Sequence, residues 1–327
     1  MLSIKQNLLE TIQGGNPDRF VKQYEFLDII METPMELALC PGPGTEIVNS
    51  WGVTVRWPKG QIGSFPVHDA EHIVLKDITE WRKYVKAPSV DYPEERWTAA
   101  IEHVNSVDRN EKYVTTLVAP GVFELTHYLM SMEEGLMAFY EEPEAMHELI
   151  DYITDWEIRY AKQVIDHLHP DALFHHDDWG SQISSFISPA TFEEFLLPAY
   201  KKIYGFYKAN GVELIIHHSD SYAANLVPFM IEMGIDIWQG VMSTNNVPEL
   251  IKKYGKQITF WGDIDSGKID TPDWSQEVIA QNVEHACREC GKLYFIPGAS
   301  QGLNISSFPG VYEAIDVEID NMTKKMF

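Results

Sequence analysis

The sequence predicts an α/β chain folded as a single (β/α)8 TIM barrel with an irregular N-terminal helical and β-hairpin extension. Three observations carry that expectation. Six short apolar runs, at 113–120, 172–176, 213–218, 235–241, 258–263 and 293–298, recur from Lys112 onward with helix-length segments between them. The runs do not alternate apolar with polar, as strands covered on both faces do not, and strands interleaved with helices imply parallel pairing. No GxGxxG follows any run, and Gly267-Lys268 lacks the upstream glycine of a phosphate loop, so an open nucleotide-binding sheet has no support. One domain is expected over 1–327, with 1–110 holding the extension and the first barrel elements and 111–327 the regular βα units.

Residues 1–15, MLSIKQNLLETIQGG, read as an amphipathic helix ended by Gly14-Gly15. Lys5, Glu10 and Gln13 interrupt its apolar residues, which a secretory leader does not allow. Pro41-Gly42-Pro43-Gly44 breaks the chain. WGVTVRWP (51–58) and the stretch around Gly63-Ser64-Phe65-Pro66 then predict a β-hairpin rich in aromatics. Helices are expected at 77–85 and within 91–107. Pro143 to Leu168 forms a long one, because Met146, Leu149, Ile150, Ile153 and Trp156 recur at helical spacing. Ser188-Pro189 and Thr271-Pro272 each join a capping side chain to a first-turn proline, opening helices over 192–207 and 273–290.

Charge narrows the partners. The chain has 25 Lys+Arg against 49 Asp+Glu, a net charge of −24. Nucleic-acid phosphates and anionic membrane surfaces both demand a basic stripe, and none is present. No uncharged apolar run approaches the roughly 18 residues of a membrane span. Cys40, Cys287 and Cys290 offer no disulfide framework, so a cytoplasmic location is expected. Cys287-x-x-Cys290 lies in the last turn of a predicted helix and reads as structural.

In a parallel α/β barrel the chemistry sits at the C-terminal ends of the strands. There the chain carries His175-His176-Asp177-Asp178-Trp179 and His217-His218-Ser219-Asp220-Ser221, one His-His-x-Asp arrangement repeated at 218 − 176 = 42 residues. Alternation along an extended chain puts His176 with Asp178, and His218 with Asp220, on shared faces. Imidazoles and carboxylates ligate Zn²⁺, Fe²⁺ or Mn²⁺, and histidine is equally suited to acid–base work near neutral pH. The candidate catalytic residues are therefore His176, Asp178, Gln182 and His217. The candidate metal ligands are His218, Asp220 and His176. Trp179, Trp238, Gln239, Asp263 and Glu124, at or near strand ends, are candidates to bind substrate; His127, Asp265 and the small residues of 298–302 lie close by. For each of these alone, a helix cap, a loop contact or core packing is the competing role.

Several segments resemble the uroporphyrinogen decarboxylase superfamily: GGNPDRF (14–20), GVFELTHYLMSMEEGLMAFYEEPE (121–144), ISPATFEEFLLPAYKKI (187–203) and the HHSDS strand end. The resemblance implies one barrel domain and one of two activities. One branch decarboxylates the acetate side chains of uroporphyrinogen; the other transfers methyl groups to and from corrinoid proteins with the help of Zn²⁺. The decarboxylases carry an arginine-rich RQAGR motif near the N-terminus, whereas Arg19 and Arg56 are the only arginines here before Arg82. That favours the methyltransferase branch. Thiol methyltransferases of that branch carry a His-x-Cys pair where this chain has His218-Ser219-Asp220, and a second Cys where it has Gly298-Ala299-Ser300, so a thiolate zinc site is not expected. The resemblance instead implies a methyltransferase of the O-demethylase type. Its expected partners are a small methyl donor and a corrinoid protein carrying methylcobalamin, with pairing into a homodimer left open. A carboxy-lyase of porphyrin biosynthesis is the alternative, and a catalytically silent binding barrel a third reading.

Overall fold

The computed structural model describes residues 1–35, 40–60 and 63–327. The first strand, β1 (Leu27–Ile30), is followed by three short ones, β2 (Glu46–Val48), β3 (Thr54–Arg56) and β4 (Phe65–Pro66), which pair antiparallel in that order. Then come β5 (Tyr113–Val118), β6 (Ala172–His176), β7 (Leu214–His218), β8 (Ile237–Val241), β9 (Thr259–Ile264) and β10 (Phe295–Ala299). With β1 they form one sheet ordered β1-β5-β6-β7-β8-β9-β10, every neighbouring pair parallel.

Among the described residues this sheet has seven strands rather than the expected eight. The seam between β10 and β1 is occupied by the segment that leads into β1. There the Gln23 side chain accepts the Ala299 N–H at 2.7 Å, and the Gln23 carbonyl accepts the Tyr312 hydroxyl at 2.9 Å. A side-chain amide thus satisfies an edge N–H that a further strand would otherwise pair.

The sheet is curled around an apolar filling. The Trp261 ring of β9 lies 4.4 Å from Tyr24, 5.2 Å from Phe26 and 6.5 Å from Phe174 of β6, all centroid to centroid. A flat sheet would hold β6 and β9 three strand spacings apart, roughly 14 Å. A second and larger buried cluster lies between the outer face and the helices, with Ile153, Tyr160, Ile215, Trp238 and Phe260 among its members.

The helices follow their sequence signals with two adjustments. Ile4–Gln13 begins at a Ser3/Gln6 capping box and ends at Gly14, whose φ of 73° suits a residue without a Cβ. Pro143–Leu168 buries the predicted stripe. Ser188 caps its helix as expected, but the chain passes through one widened turn, Phe192–Leu196, before the regular helix Leu197–Ala209, because Pro198 has no N–H to donate. The last internal helix starts at Gln276 under Ser275, not at Thr271-Pro272. No described helix is long and apolar enough to cross a membrane.

Candidate active site

A cavity of 620 Å³ opens where β6 and β7 end, walled by the β3–β4 pair and by the helix Val122–Leu129. Parallel register aligns His175 with His217 and His176 with His218. The 42-residue offset is therefore a single rung of the sheet. Alternation sends His176 and His218 inward, where their rings lie 4.5 Å apart and 26° from parallel.

Each inward ring is held by its Nδ1. His176 Nδ1 is 2.9 Å from Glu124 Oε2. His218 Nδ1 donates to Gln239 Oε1. The Gln239 amide cannot turn over freely, since its nitrogen donates to the carbonyls of Ala299 (3.4 Å) and Gln301 (3.3 Å). Both Nε2 atoms are thereby left for the mouth. His218 Nε2 is 4.0 Å from Asp178 Oδ1, and one ligand atom from each of His176, Asp178 and His218 lies within 4.8 Å of the others. Among the described residues this is the one such group. Two imidazole nitrogens and a carboxylate, each imidazole oriented by an outer partner, form a donor set that fits Zn²⁺ or a similar divalent ion. Asp220 borders the cavity and donates its N–H to Asp178 Oδ1 at 3.0 Å, so it stands beside the triad.

Electrostatics separate the two rings. Burial opposes charge on His176, but the carboxylates of Glu124 and Asp178 outweigh it and push the ring up to about 10. Burial, and then the charge on His176, push His218 down to about 4. Burial also raises Glu124, and it raises Asp220 strongly, with Asp178 adding to the shift. No lysine or arginine stands among the described residues that line the cavity.

Two glycines shape the pocket for His218. A Cβ on Gly240 would stand 3.0 Å from the ring, and one on Gly302 would stand 3.1 Å from it. The small residues after β10 thus make room for a protein side chain as much as for a ligand.

Other candidates fall elsewhere. His217 faces the helix layer, with Nδ1 2.8 Å from the Tyr204 hydroxyl, Nε2 3.1 Å from the Asp177 carbonyl and its ring stacked on Trp179. Trp179 is fully buried behind the sheet and donates to Tyr200. Trp238 also points outward, onto Phe260, and donates to the Ser219 carbonyl. These three were expected at the mouth; strand alternation places them on its far side. Asp263 is turned outward by a register slip between Gln239 and Val241 and by its own φ of 65°, and its carboxylate meets the Cys290 thiol at 3.4 Å. Gln182 is exposed and lies outside the cavity lining, on the loop that follows β6. Gln239 reaches the triad through His218. The cysteines are buried and unpaired.

Asp177, part of the strand-end cluster in the sequence, and His68, which no sequence pattern marks, also stand at the site. Asp177 accepts the N–H groups of Phe123 and Glu124, both at 2.8 Å, capping the helix that carries Glu124. A Cβ on Gly121 would collide with Asp177 at 2.5 Å, so the glycine is part of that cap. His68, just after β4, lines the cavity, and nothing in its local sequence pointed there.

The family described as Uroporphyrinogen decarboxylase matches residues 29–303. The chain is 24% identical over 239 residues to uroporphyrinogen decarboxylase 2 of the Arabidopsis thaliana chloroplast, covering 71% of this chain and 57% of that protein. The corresponding Oryza sativa subsp. japonica protein is 26% identical over 237 residues, covering 70% of this chain and 57% of its own length. The chain thus spans somewhat over half the length of these curated relatives. A methyltransferase structure from Methanosarcina mazei superposes with a TM-score of 0.67 at 14% identity, covering 98% of this chain and 99% of that one, which is a likeness of fold. With most of its length matched, this chain belongs to the uroporphyrinogen decarboxylase family.

Proposed function

We propose that the chain is a methyltransferase that moves a methyl group between a small methylated substrate, such as a methyl ether, and a corrinoid protein. The observation that carries the reading is the His176–Asp178–His218 triad, whose two imidazoles are turned by Glu124 and Gln239 so that both Nε2 atoms face the cavity. A bound Zn²⁺ would supply Lewis acidity at the substrate heteroatom that loses its methyl group. The protein's own part is to hold the ligands in place, which the Glu124 and Gln239 contacts do. Phe65, Phe174 and Phe186 also line the cavity and offer apolar surface to the body of a small substrate. The methyltransferase from Methanosarcina mazei, which shares the fold, supports the reading.

The curated relatives favour the alternative, decarboxylation of a porphyrinogen. Against it stands the cavity lining, where Glu124, Asp178 and Asp220 meet no Lys or Arg and the charge of the raised His176 is already taken up by Glu124 and Asp178, so a polycarboxylate would face carboxylates. A spectral assay with cob(I)alamin and a panel of methyl ethers, amines and thiols tests the proposal. Formation of methylcobalamin with at least one donor supports it. Failure with every donor, together with carbon dioxide release from uroporphyrinogen, overturns it in favour of the lyase.

A further inference from the structure

Asp177 stands between two members of the triad, His176 and Asp178, yet its side chain is fully buried and turned away from the cavity toward Tyr200. Its main chain is fixed to β7 on both sides. The Asp177 N–H donates to the His218 carbonyl at 3.1 Å, and the Asp177 carbonyl is 3.1 Å from His217 Nε2. A carboxylate on so fixed a backbone is a reference point for whatever it holds.

What it holds is the start of the helix Val122–Leu129. The first N–H groups of a helix have no partner within it, and the N-cap side chain usually accepts from the second or third residue. Here the N-cap is Gly121, which has no side chain to do so. Asp177 supplies the cap from across the fold: Oδ2 accepts the Phe123 N–H and Oδ1 the Glu124 N–H, both at 2.8 Å. The Tyr200 hydroxyl donates to the same carboxylate, and the Trp179 indole N–H donates to that hydroxyl at 3.2 Å. The residue so clasped, Glu124, is the one whose carboxylate lies 2.9 Å from His176 Nδ1.

We propose that Asp177 is a positioning residue for the metal site: its two oxygens, bridged across the first turn of the helix, set where the Glu124 carboxylate stands, and through Glu124 they aim His176 Nε2 at the cavity. For the metal, the inference rests on the triad reading above; the hold of Asp177 on the Glu124–His176 contact does not. An ordinary cap stabilises its helix wherever the helix lies. This one ties the helix to the strand end that carries the ligand, so the two cannot shift independently. Glu124 and His176 are 52 residues apart in sequence. Side chains brought together over such a separation keep a fixed geometry only where the backbones beneath them are joined.

The test measures Zn²⁺ affinity by calorimetry on the full apo chain as wild type, D177N, E124A and the double variant. D177N keeps the size of the side chain but offers one acceptor oxygen where the carboxylate offers two, so one of the two N–H groups loses its partner. Affinity is expected to fall about fivefold, less than the roughly tenfold or more that loss of a direct outer partner costs. In the E124A background the same replacement is expected to change nothing, because the residue through which it acts is gone. A merely structural role would lower affinity equally in both backgrounds. The metal-free chain gives a second readout. With ¹⁵N in its histidines, the His176 Nδ1 signal, identified by its shift in E124A, should move in D177N. Should D177N fold poorly by circular dichroism, Y200F, which removes one donor from the carboxylate and leaves the carboxylate in place, should move the same signal. An affinity unchanged in folded D177N, a fall that persists undiminished in E124A, or a His176 signal that stays in place in every folded variant would overturn the proposal. A wild-type chain that takes up no Zn²⁺ would sink the triad reading instead, and the His176 signal alone would then decide whether Asp177 holds Glu124 against the ring.

Discussion

His176 and His218 face the cavity from β6 and β7, while His175 and His217, one residue earlier on the same strands, face the helices. The inward pair meets Glu124 and Gln239 through Nδ1 and leaves Nε2 open. The outward pair is closed. The Tyr204 hydroxyl is 3.2 Å from His175 Nδ1 and 2.8 Å from His217 Nδ1, Glu157 is 3.1 Å from His175 Nε2, and the Asp177 carbonyl takes the far side of His217. Burial and the neighbouring His175 lower the pKa of His217 well below its ordinary value, so it stays neutral as a core residue. Identical side chains in consecutive positions thus serve different ends. Open nitrogens beside a carboxylate suit a ligand site; nitrogens that are all engaged suit stability.

The largest effect should come from breaking the inward half. H218A is expected to weaken Zn²⁺ binding by about 100-fold or more, since losing a ligand costs at least as much as losing its outer partner. Calorimetric titration of the apo chain checks this, with circular dichroism to show that the fold persists. Unchanged affinity would remove His218 from the ligand set.

The reverse pattern is expected behind the sheet. H217L leaves the Asp177 carbonyl without its His217 partner and the Tyr204 hydroxyl with only His175, in a buried layer, at a stability cost of about 1–3 kcal/mol. Denaturant unfolding measures that loss, and Zn²⁺ affinity should stay within about twofold of the wild type. A drop in affinity matching that of H218A would erase the distinction between the two faces.

Asp263 sharpens the comparison through pH. Burial raises its pKa to about 6 in the folded chain, against 3.8 as the ordinary value. The folded state therefore binds the proton more tightly, and this contribution to stability is full below about pH 4 and is lost as pH rises through about 6. D263N, which can keep the contact with Cys290 and tolerates a positive φ, should stabilise the chain by about 1–2 kcal/mol at pH 7 and by nothing at pH 4. Unfolding curves at the two pH values decide it; an equal effect at both would mean that the carboxylate does not titrate between them.

The smallest effect is expected at the outer partners of the triad. E124Q keeps a hydrogen bond to His176 but removes its charge, so Zn²⁺ affinity should fall by about tenfold. An affinity equal to that of the wild type would show that the carboxylate orients nothing.

Much of this was readable without coordinates. The β6 and β7 repeats marked the strand ends, and alternation along them put His176, Asp178 and His218 together. The same alternation, applied with equal care to His217, Trp179 and Trp238, assigns them to the far face, yet aromatic and histidine character drew them toward the mouth. Asp263 could not have been placed that way. The register slip after Gln239 depends on Gly240 and Gly262, at φ of 88° and 154°, and a slip of one residue reverses every side chain beyond it. His68 lies about 60 residues from His127 and just beyond the strand β4, so no local periodicity connects them.

Short-range physics is written in the chain itself. Strand-length apolar runs, the Ser3 and Ser188 caps, the Gly14 stop and the two-residue alternation of β6 and β7 determined a parallel α/β fold with a histidine- and aspartate-rich mouth. Closure was decided only in three dimensions. Gln23 filled the seam in place of an eighth strand, a bulge turned Asp263 away, Gly302 came to lie on the His218 ring, and His68 came to line the same cavity as Glu124. Each depends on contacts between residues far apart in sequence, whose free energy exists only once the sheet has curled and brought them within a few ångströms.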